Sequence, residues 1–301
     1  MFVSLIVPSF NQGRFVGDCL RSIVSQSGAS SEIILVDGGS TDGTLAVVEE
    51  FRGSITHFIS EPDAGQADAI NKGLRLARGE LVTWLNSDDF LEPGALDHMR
   101  AAAGRAPHAP FYMGLGSRTD RDGKTRVSFY PEHFEFRREA LLWGLNFVLQ
   151  PATFMRRTAL EQIGGTVATA LRYALDTDLW IRLSGLGDPV LVPHLIACSR
   201  EYAETKTAQG GWERFREIQQ VAAAATGAAL TPGVLAELMR LLHEQWLADP
   251  AVRARLPAET EQRILAGWAV AADGLRNLTG REDGFPIGGT NAVGRIPGKR
   301  P

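Results

Sequence analysis

The sequence predicts an α/β fold: a mostly parallel central sheet with helices on both faces, followed by a C-terminal helical extension. Three observations predict it. Short apolar runs alternate with stretches of helical periodicity through residues 1–100, the pattern of parallel strands joined by crossover helices. The runs are continuously apolar rather than alternating, as strands covered on both faces require. One of them, Leu81-Val82-Thr83-Trp84-Leu85, ends abruptly in Asn86-Ser87-Asp88-Asp89. Neighbouring carboxylates repel and gain nothing from burial, so a pair at a strand end calls for a cation or for solvent.

Taken in order, Val3 to Val7 forms the first strand, and Pro8-Ser9-Phe10-Asn11-Gln12-Gly13 turns the chain into a helix. In that helix Phe15, Val16, Cys19, Leu20, Ile23 and Val24 recur at helical spacing. Ile33 to Val36 is a second strand, which ends at Asp37 and the loop Gly38-Gly39-Ser40-Thr41-Asp42-Gly43. Thr44 to Phe51 follows as a helix with Leu45, Val48 and Phe51 on one face, and Ser40 to Asp42 can cap it. Ile55 to Ile59 is the third strand, Ala67, Ile70, Leu74 and Ala77 mark the next helix, and Leu81 to Leu85 closes the series. Binding sites in such sheets lie beyond the carboxyl ends of the strands. Pro8-Ser9, Asp37, Glu61-Pro62-Asp63 and Asp88-Asp89 all fall there. The simplest cation for the acidic pair is Mg²⁺ or Mn²⁺ shared with a substrate phosphate. An acidic cap on the helix opened by Pro93 and Ala95-Leu96 is the plain alternative.

The middle of the chain is less regular. Phe111 to Gly116 reads as a strand, and Asp120 to Gly123 as a turn into a strand from Thr125 to Phe129. Tyr130 to Arg138 mixes aromatics, acids and bases and suits either a flap or a surface connection. Ala152 to Met155 is a short strand, Thr158 to Ile163 a helix stopped by Gly164-Gly165, and Asp178 to Ser184 another helix. Val190 to Val192 and Leu195 to Ser199 return to strand character. Beyond Gln209 the expected elements are helices over Trp212–Ala225, Pro232–Leu247 and Ala258–Ala271, then a poorly ordered tail over 280–301.

The 301 residues can bury a substantial core, and the net charge of -4 argues against a generic nucleic-acid binder. Cys19 and Cys198 lack metal-ligand spacing, which favours a reduced, cytoplasmic setting. Phe2 to Val7 has no basic flank and stops at Pro8, so it reads as a strand rather than a signal peptide. With no apolar run of about 18 residues, any association with the inner face of a membrane would be peripheral.

Several blocks together carry a family resemblance. Val3-Ser4-Leu5-Ile6-Val7-Pro8-Ser9-Phe10-Asn11, Val36-Asp37-Gly38-Gly39-Ser40-Thr41-Asp42-Gly43, Asn71-Lys72-Gly73, Gly79-Glu80 and Asn86-Ser87-Asp88-Asp89 resemble the family 2 inverting glycosyltransferases of the GT-A fold. The run from Glu61 to Gly73 is similar to the bacterial branch that assembles surface polysaccharides. The resemblance covers about residues 2–207. It implies a catalytic domain over 1–207, with a nucleotide-sugar half (1–100) and an acceptor half (101–207); the helical extension read at 208–279 is not covered by it.

The resemblance also implies roles. A UDP-, GDP- or dTDP-sugar would lie along Pro8, Ser9, Asn11, Asp37, Gly39, Asp63, Gln66, Asn71, Lys72, Asn86 and Ser87, with Asp37 at the base or ribose. Asp88, with Asp89 beside it, would hold Mn²⁺ or Mg²⁺ against the diphosphate, and Arg200 and Lys206 would neutralise the leaving group. Asn86 stands where many relatives have a first aspartate, and Tyr202 where many have histidine. In Tyr173-Ala174-Leu175-Asp176-Thr177-Asp178-Leu179-Trp180-Ile181-Arg182-Leu183, Leu175 replaces a common glutamate, which leaves Asp176 as the match to the catalytic base and Asp178 as the nearby alternative. Gln150, Asp178 and Trp180 fall on the acceptor side. The acceptor would be a glycan or a lipid-linked glycan, and the C-terminal helices could support a homodimer. A nucleotidyltransferase, which would release pyrophosphate, and a non-catalytic scaffold of a glycan-assembly complex are the competing readings.

Overall fold

A computed structural model describes residues 1–26, 30–124, 126–128, 136–249 and 251. Strands β1 (Val3–Ser9), β2 (Ser31–Asp37), β3 (His57–Ser60) and β4 (Leu81–Trp84) pair in parallel. They are joined by β5 (Phe90–Leu91), β6 (Phe111–Thr119), β7 (Arg126–Ser128), β8 (Thr153–Arg156) and β9 (Val190–Arg200). The resulting nine-stranded sheet runs β3-β2-β1-β4-β8-β6-β9-β5, with β7 paired to β6. β6 and β9 run with the first four strands, whereas β5, β7 and β8 run against them. The predicted mostly parallel sheet is therefore present. Every residue of β1 and all of β2 except Ser31 are buried, which is why these runs lack a polar face.

Helices α1 (Val16–Val24), α2 (Thr44–Glu49), α3 (Gln66–Leu76) and α4 (Ala95–Arg105) connect the first strands. α3 comes so close to β1 that a Cβ on Gly73 would sit 2.3 Å from Ile6 Cγ2. The glycine of the Asn71-Lys72-Gly73 block is thus a packing requirement.

In the second half α5 (Arg138–Leu142), α6 (Arg157–Gln162) and α7 (Leu175–Ser184) appear, and α8 (Lys206–Gln209), α9 (Gly211–Thr226) and α10 (Pro232–Ala248) follow β9. Two predicted elements merge: Val190–Val192 and Leu195–Ser199 belong to the one strand β9, with a register irregularity against Gly114, Leu115 and Gly116. Pro193 lies at that irregularity and has no N–H for the ladder. Helix α7 starts three residues before the expected Asp178, which brings Asp176 and Asp178 into its first turn. The two-residue β5 is too short to show a period. α9 packs against α5, α7 and α10, and Thr231 caps α10 while its hydroxyl donates to the Trp143 carbonyl at 2.6 Å. The predicted helix at Ala258–Ala271, the tail from 280, and all of the Tyr130–Arg138 segment before Phe136 lie outside the described residues. No described helix is long and apolar enough to cross a membrane.

The core corrects one expectation. Trp180 is fully buried, stacked on Trp84 with ring centroids 5.9 Å apart and on Phe111 at 5.7 Å. Leu175, Leu179, Trp180 and Leu183 form the inward face of α7, so Trp180 packs the sheet and cannot touch an acceptor.

Candidate active site

The carboxyl ends of β1, β2, β3, β4 and β9 gather the polar loops. Asn11 adopts a left-handed backbone (φ 52), tolerated by its short amide side chain. Its N–H donates to Ser40 Oγ (2.7 Å) and its Oδ1 accepts from Thr41 N (2.9 Å), clasping the first two loops together. Asp37 is fully buried, and its carboxylate accepts from Gly39 N (3.1 Å), Ser40 N (3.0 Å), Ser60 Oγ (2.8 Å) and the Ser40 hydroxyl. The carboxylate expected at the base or ribose is therefore spent on shaping the loop, which holds Gly39 at φ 82. Ser9 Oγ is buried without a hydrogen-bond partner, the kind of polar atom that a ligand can satisfy. Asp63 accepts from Gly65 N (2.8 Å), and its Oδ2 lies 2.8 Å from where a Cβ on Gly38 would sit. Gly38 thus leaves the space that Asp63 fills.

Two further donor-side candidates are committed elsewhere. Asn71 Nδ2 donates to Val167 O (3.0 Å) and its Oδ1 accepts from Val167 N (2.9 Å), so the buried amide is spent on the fold. Asn71→Ala is expected to lower the unfolding free energy by about 2 kcal/mol, because two buried backbone groups lose their partners. Urea denaturation checks this. Lys72 Nζ is held by Glu61 Oε1 at 2.8 Å and Asp68 Oδ2 at 3.4 Å, and the Glu61 bond raises its pKa.

Around the end of β4 the acids divide. Asp89 is buried, its Oδ1 accepting from Arg200 N (2.9 Å) and its Oδ2 from Asn86 Nδ2 (3.3 Å). Burial, and then the Asp88 charge, push its carboxyl well above the ordinary aspartate value. Asp89 ties β4 to β9 and does not sit beside Asp88 as a second open ligand. Asp88 is only partly buried and accepts from the Tyr202 hydroxyl at 2.9 Å. Burial raises its pKa, as burial and the Asp88 charge raise that of Tyr202. Ser87 is buried beside it.

Arg200 is a correction of the same kind. Its Nη1 donates to the Asp88 carbonyl (2.9 Å), its Nη2 to Asp18 Oδ2 (2.7 Å), and its guanidinium lies 5.0 Å from the Phe15 ring and 5.2 Å from Phe90. A cation so enclosed braces the loops instead of meeting a leaving group. Lys206 is better placed: Nζ donates to Gln66 Oε1 (2.6 Å), and Gln66 Nε2 donates to Asn86 Oδ1 (2.7 Å). Gln150 completes the chain, donating to Trp84 O (2.7 Å) with its Oε1 3.5 Å from Asn86 Nδ2.

On the acceptor side Asp176 is partly exposed in the first turn of α7. Its Oδ1 accepts from Thr177 N (2.7 Å) and its Oδ2 from Asn146 Nδ2 (2.9 Å). Burial raises its pKa against the effect of these bonds, and Arg214 and Lys206 are its charged neighbours. Asp178 instead pairs with Arg182 (2.8 Å), whose guanidinium also donates to Ile163 O and Thr166 O. That pairing ties α7 to the preceding loop and takes Asp178 off the acceptor. Asn146 was not anticipated, since nothing in its local sequence marks an exposed amide as the partner of a residue 30 positions on.

Among the described residues no group of three or more His, Cys, Asp and Glu side chains converges. Asp88 nevertheless offers a hard oxygen with no side-chain cation paired to it, and Mg²⁺ and Mn²⁺ commonly take one or two carboxylates with phosphate and water completing the shell.

Four parallel strands ending in polar loops, continued by a mixed second half-sheet, define a GT-A fold. Its solved neighbours agree. Staphylococcus aureus TarS 1-349 in complex with UDP-GlcNAc superposes with a TM-score of 0.63 at 19% identity, covering 93% of this chain and 82% of that one. The mannosyltransferase PcManGT from Pyrobaculum calidifontis, in complex with GDP-Man and Mn²⁺, gives 0.57 at 20% identity, covering 92% and 83%. Residues 4–164 match the model described as Glycosyl transferase family 2. A PGL/p-HBAD biosynthesis glycosyltransferase of Mycobacterium bovis (strain BCG / Pasteur 1173P2) is 32% identical over 203 residues, 65% of this chain and 75% of the relative. The chain belongs to glycosyl transferase family 2 and is a glycosyltransferase. It spans only 14% and 30% of two longer curated relatives.

Proposed function

We propose that the chain moves a sugar, with inversion, from a nucleoside-diphospho-sugar to a hydroxyl of a glycan or lipid-linked glycan of the cell surface, in a reaction that depends on Mn²⁺ or Mg²⁺. The observation that carries this reading is one linked set of side chains. The Asp88 carboxylate accepts from the Tyr202 hydroxyl and forms no ion pair among the described residues, Asp176 has Lys206 among its charged neighbours, and Lys206, Gln66 and Asn86 form a hydrogen-bonded chain. Ser9 Oγ, Asp63 and the Asn11–Ser40 clasp line the nucleoside end. Asp88 would hold the ion, which when bound offsets the charge building on the departing nucleoside diphosphate. Asp176 takes the proton of the attacking hydroxyl as the bond between oxygen and the anomeric carbon forms and the bond to phosphate breaks. A single displacement inverts that carbon, and no enzymic nucleophile is needed. Lys206 adds positive charge near the leaving group.

A thermal-shift panel of UDP-, GDP-, dTDP- and CMP-sugars, each with and without Mn²⁺, tests the donor. One nucleotide class should raise the melting temperature in Mn²⁺; no shift with any of them removes the donor reading. Lys206 yields a second expectation. Burial lowers its pKa to about 8, so the amine is charged below that value and neutral above it. The free enzyme's kcat/KM should therefore fall as pH rises through about 8. In Lys206→Arg, whose guanidinium stays charged, that alkaline limb should vanish.

A further inference from the structure

We infer that Glu217, in the helical extension beyond the family-matched segment, is a positioning residue whose carboxylate fixes the start of the helix that carries Asp176. The inference rests on the reading of Asp176 as the base. A helix start leaves amides without intrahelical partners, and α7 cannot supply its own cap because its N-cap residue is Ala174. Glu217, on α9, takes the N–H of that N-cap residue and the two amides before it, from more than forty residues away. Its Oε2 accepts from Tyr173 N (2.6 Å), Ala174 N (3.0 Å) and Arg172 N (3.0 Å), and its Oε1 accepts from Arg172 N (2.9 Å). Three successive amides thus close on one carboxylate immediately before Leu175 and Asp176. Charge-assisted bonds of this kind are about twice as strong as neutral ones.

The cap is itself held from behind. Arg214, one turn before Glu217, pairs with Glu237 of α10, and Arg240 shares that carboxylate at 2.7 Å. Phe215, Ile218, Val221 and Ala222 bury the inner face of α9. A Cβ on Gly210, just before α9, would lie 3.0 Å from the Tyr173 ring, so the two segments are in close contact. Because α8 and α9 follow one another directly, the same stretch of chain delivers Lys206 to Gln66 and Glu217 to α7. The extension then sets where Asp176 sits relative to the donor, and a displacement of about 1 Å at such a group can cost about a hundredfold in rate.

The experiment compares the full-length chain with Glu217→Ala, Glu217→Gln and Asp176→Asn, using the donor selected by thermal shift and reading release of its nucleoside diphosphate. For Glu217→Ala, kcat should fall by about 30- to 100-fold, with donor KM and donor-induced thermal shift unchanged. Glu217→Gln, which keeps one carbonyl oxygen for the amides, should recover part of the loss. Hydrogen exchange at Arg172, Tyr173 and Ala174 should quicken in both. The acid limb of kcat should move to lower pH as Asp176 loses burial, a change that a merely structural cap would not produce. Wild-type kcat and an unmoved acid limb in Glu217→Gln and in Glu217→Ala overturn the inference, and Glu217→Gln alone decides if Glu217→Ala does not fold. If Asp176→Asn is inactive while the Glu217 variants turn over normally, only the positioning role fails. Full transfer by Asp176→Asn removes the base and the inference together.

Discussion

Asp176→Asn is expected to lose sugar transfer by about 10²- to 10⁴-fold, the usual worth of a positioned general base, while binding the donor as the native protein does. Asparagine matches aspartate in shape, and the hydrogen-bond partners of Asp176 are Thr177 and Asn146, neither of them proposed to hold the nucleotide; Lys206 is a charged neighbour only. Stability separates lost chemistry from lost folding. Burial holds the Asp176 carboxyl above its ordinary value, so between the ordinary and the raised value the native state binds more protons than the unfolded chain. Its contribution is then most favourable at low pH and is eroded as pH rises through the raised value. Asparagine never ionises, so the variant should melt at or above the native temperature at pH 7.5. A melting curve and a donor thermal shift taken beside the rate make the assignment decisive, and full turnover by this variant would overturn it.

The first hundred residues were legible because their strands are covered on both faces and leave no polar positions to confuse the period. The polar loops were legible as a set, since those after β1, β2, β3 and β4 all leave a strand's carboxyl end. Unreadable was which polar side chains the protein keeps for itself. Asp37 is taken up by Ser40 and Ser60, Asn71 by Val167, Asp89 by Arg200, and Arg200 by Asp18 and two rings. Most of these partners lie 23 to 182 positions away in the chain, and spacing along a sequence carries no information about them. The tail of the fold shows the same limit from the other side: α9 and α10 read correctly as amphipathic helices, yet nothing in Trp212 to Ala225 marks Glu217 as the cap of a helix that begins at Leu175.

Asp88→Asn should abolish the Mn²⁺-dependent part of the donor-induced stabilisation. At a donor concentration of a hundred times Kd, binding is worth about 2.7 kcal/mol, and the metal-dependent share of that increment should disappear. The structure explains why so much falls on one residue. Asp89 is consumed by Arg200 N and Asn86, and Arg200 gives its guanidinium to the Asp88 carbonyl and to Asp18, so the Asp88 carboxylate is left with the Tyr202 hydroxyl. Its pKa is raised by burial, and a proton therefore competes with the ion. In the native protein the Mn²⁺ increment should grow as pH rises through the raised carboxyl value, whereas in Asp88→Asn it should be absent at every pH. The same shift predicts that Asp88→Asn without ligand is no less stable than the native chain at neutral pH, because a carboxylate that resists ionisation has been removed. Asp89→Ala separates the two acids: it strips the partner from a buried Arg200 amide and should lower the melting temperature while the Mn²⁺ increment persists. An undiminished Mn²⁺ increment in Asp88→Asn would place the ion on other atoms and overturn the assignment.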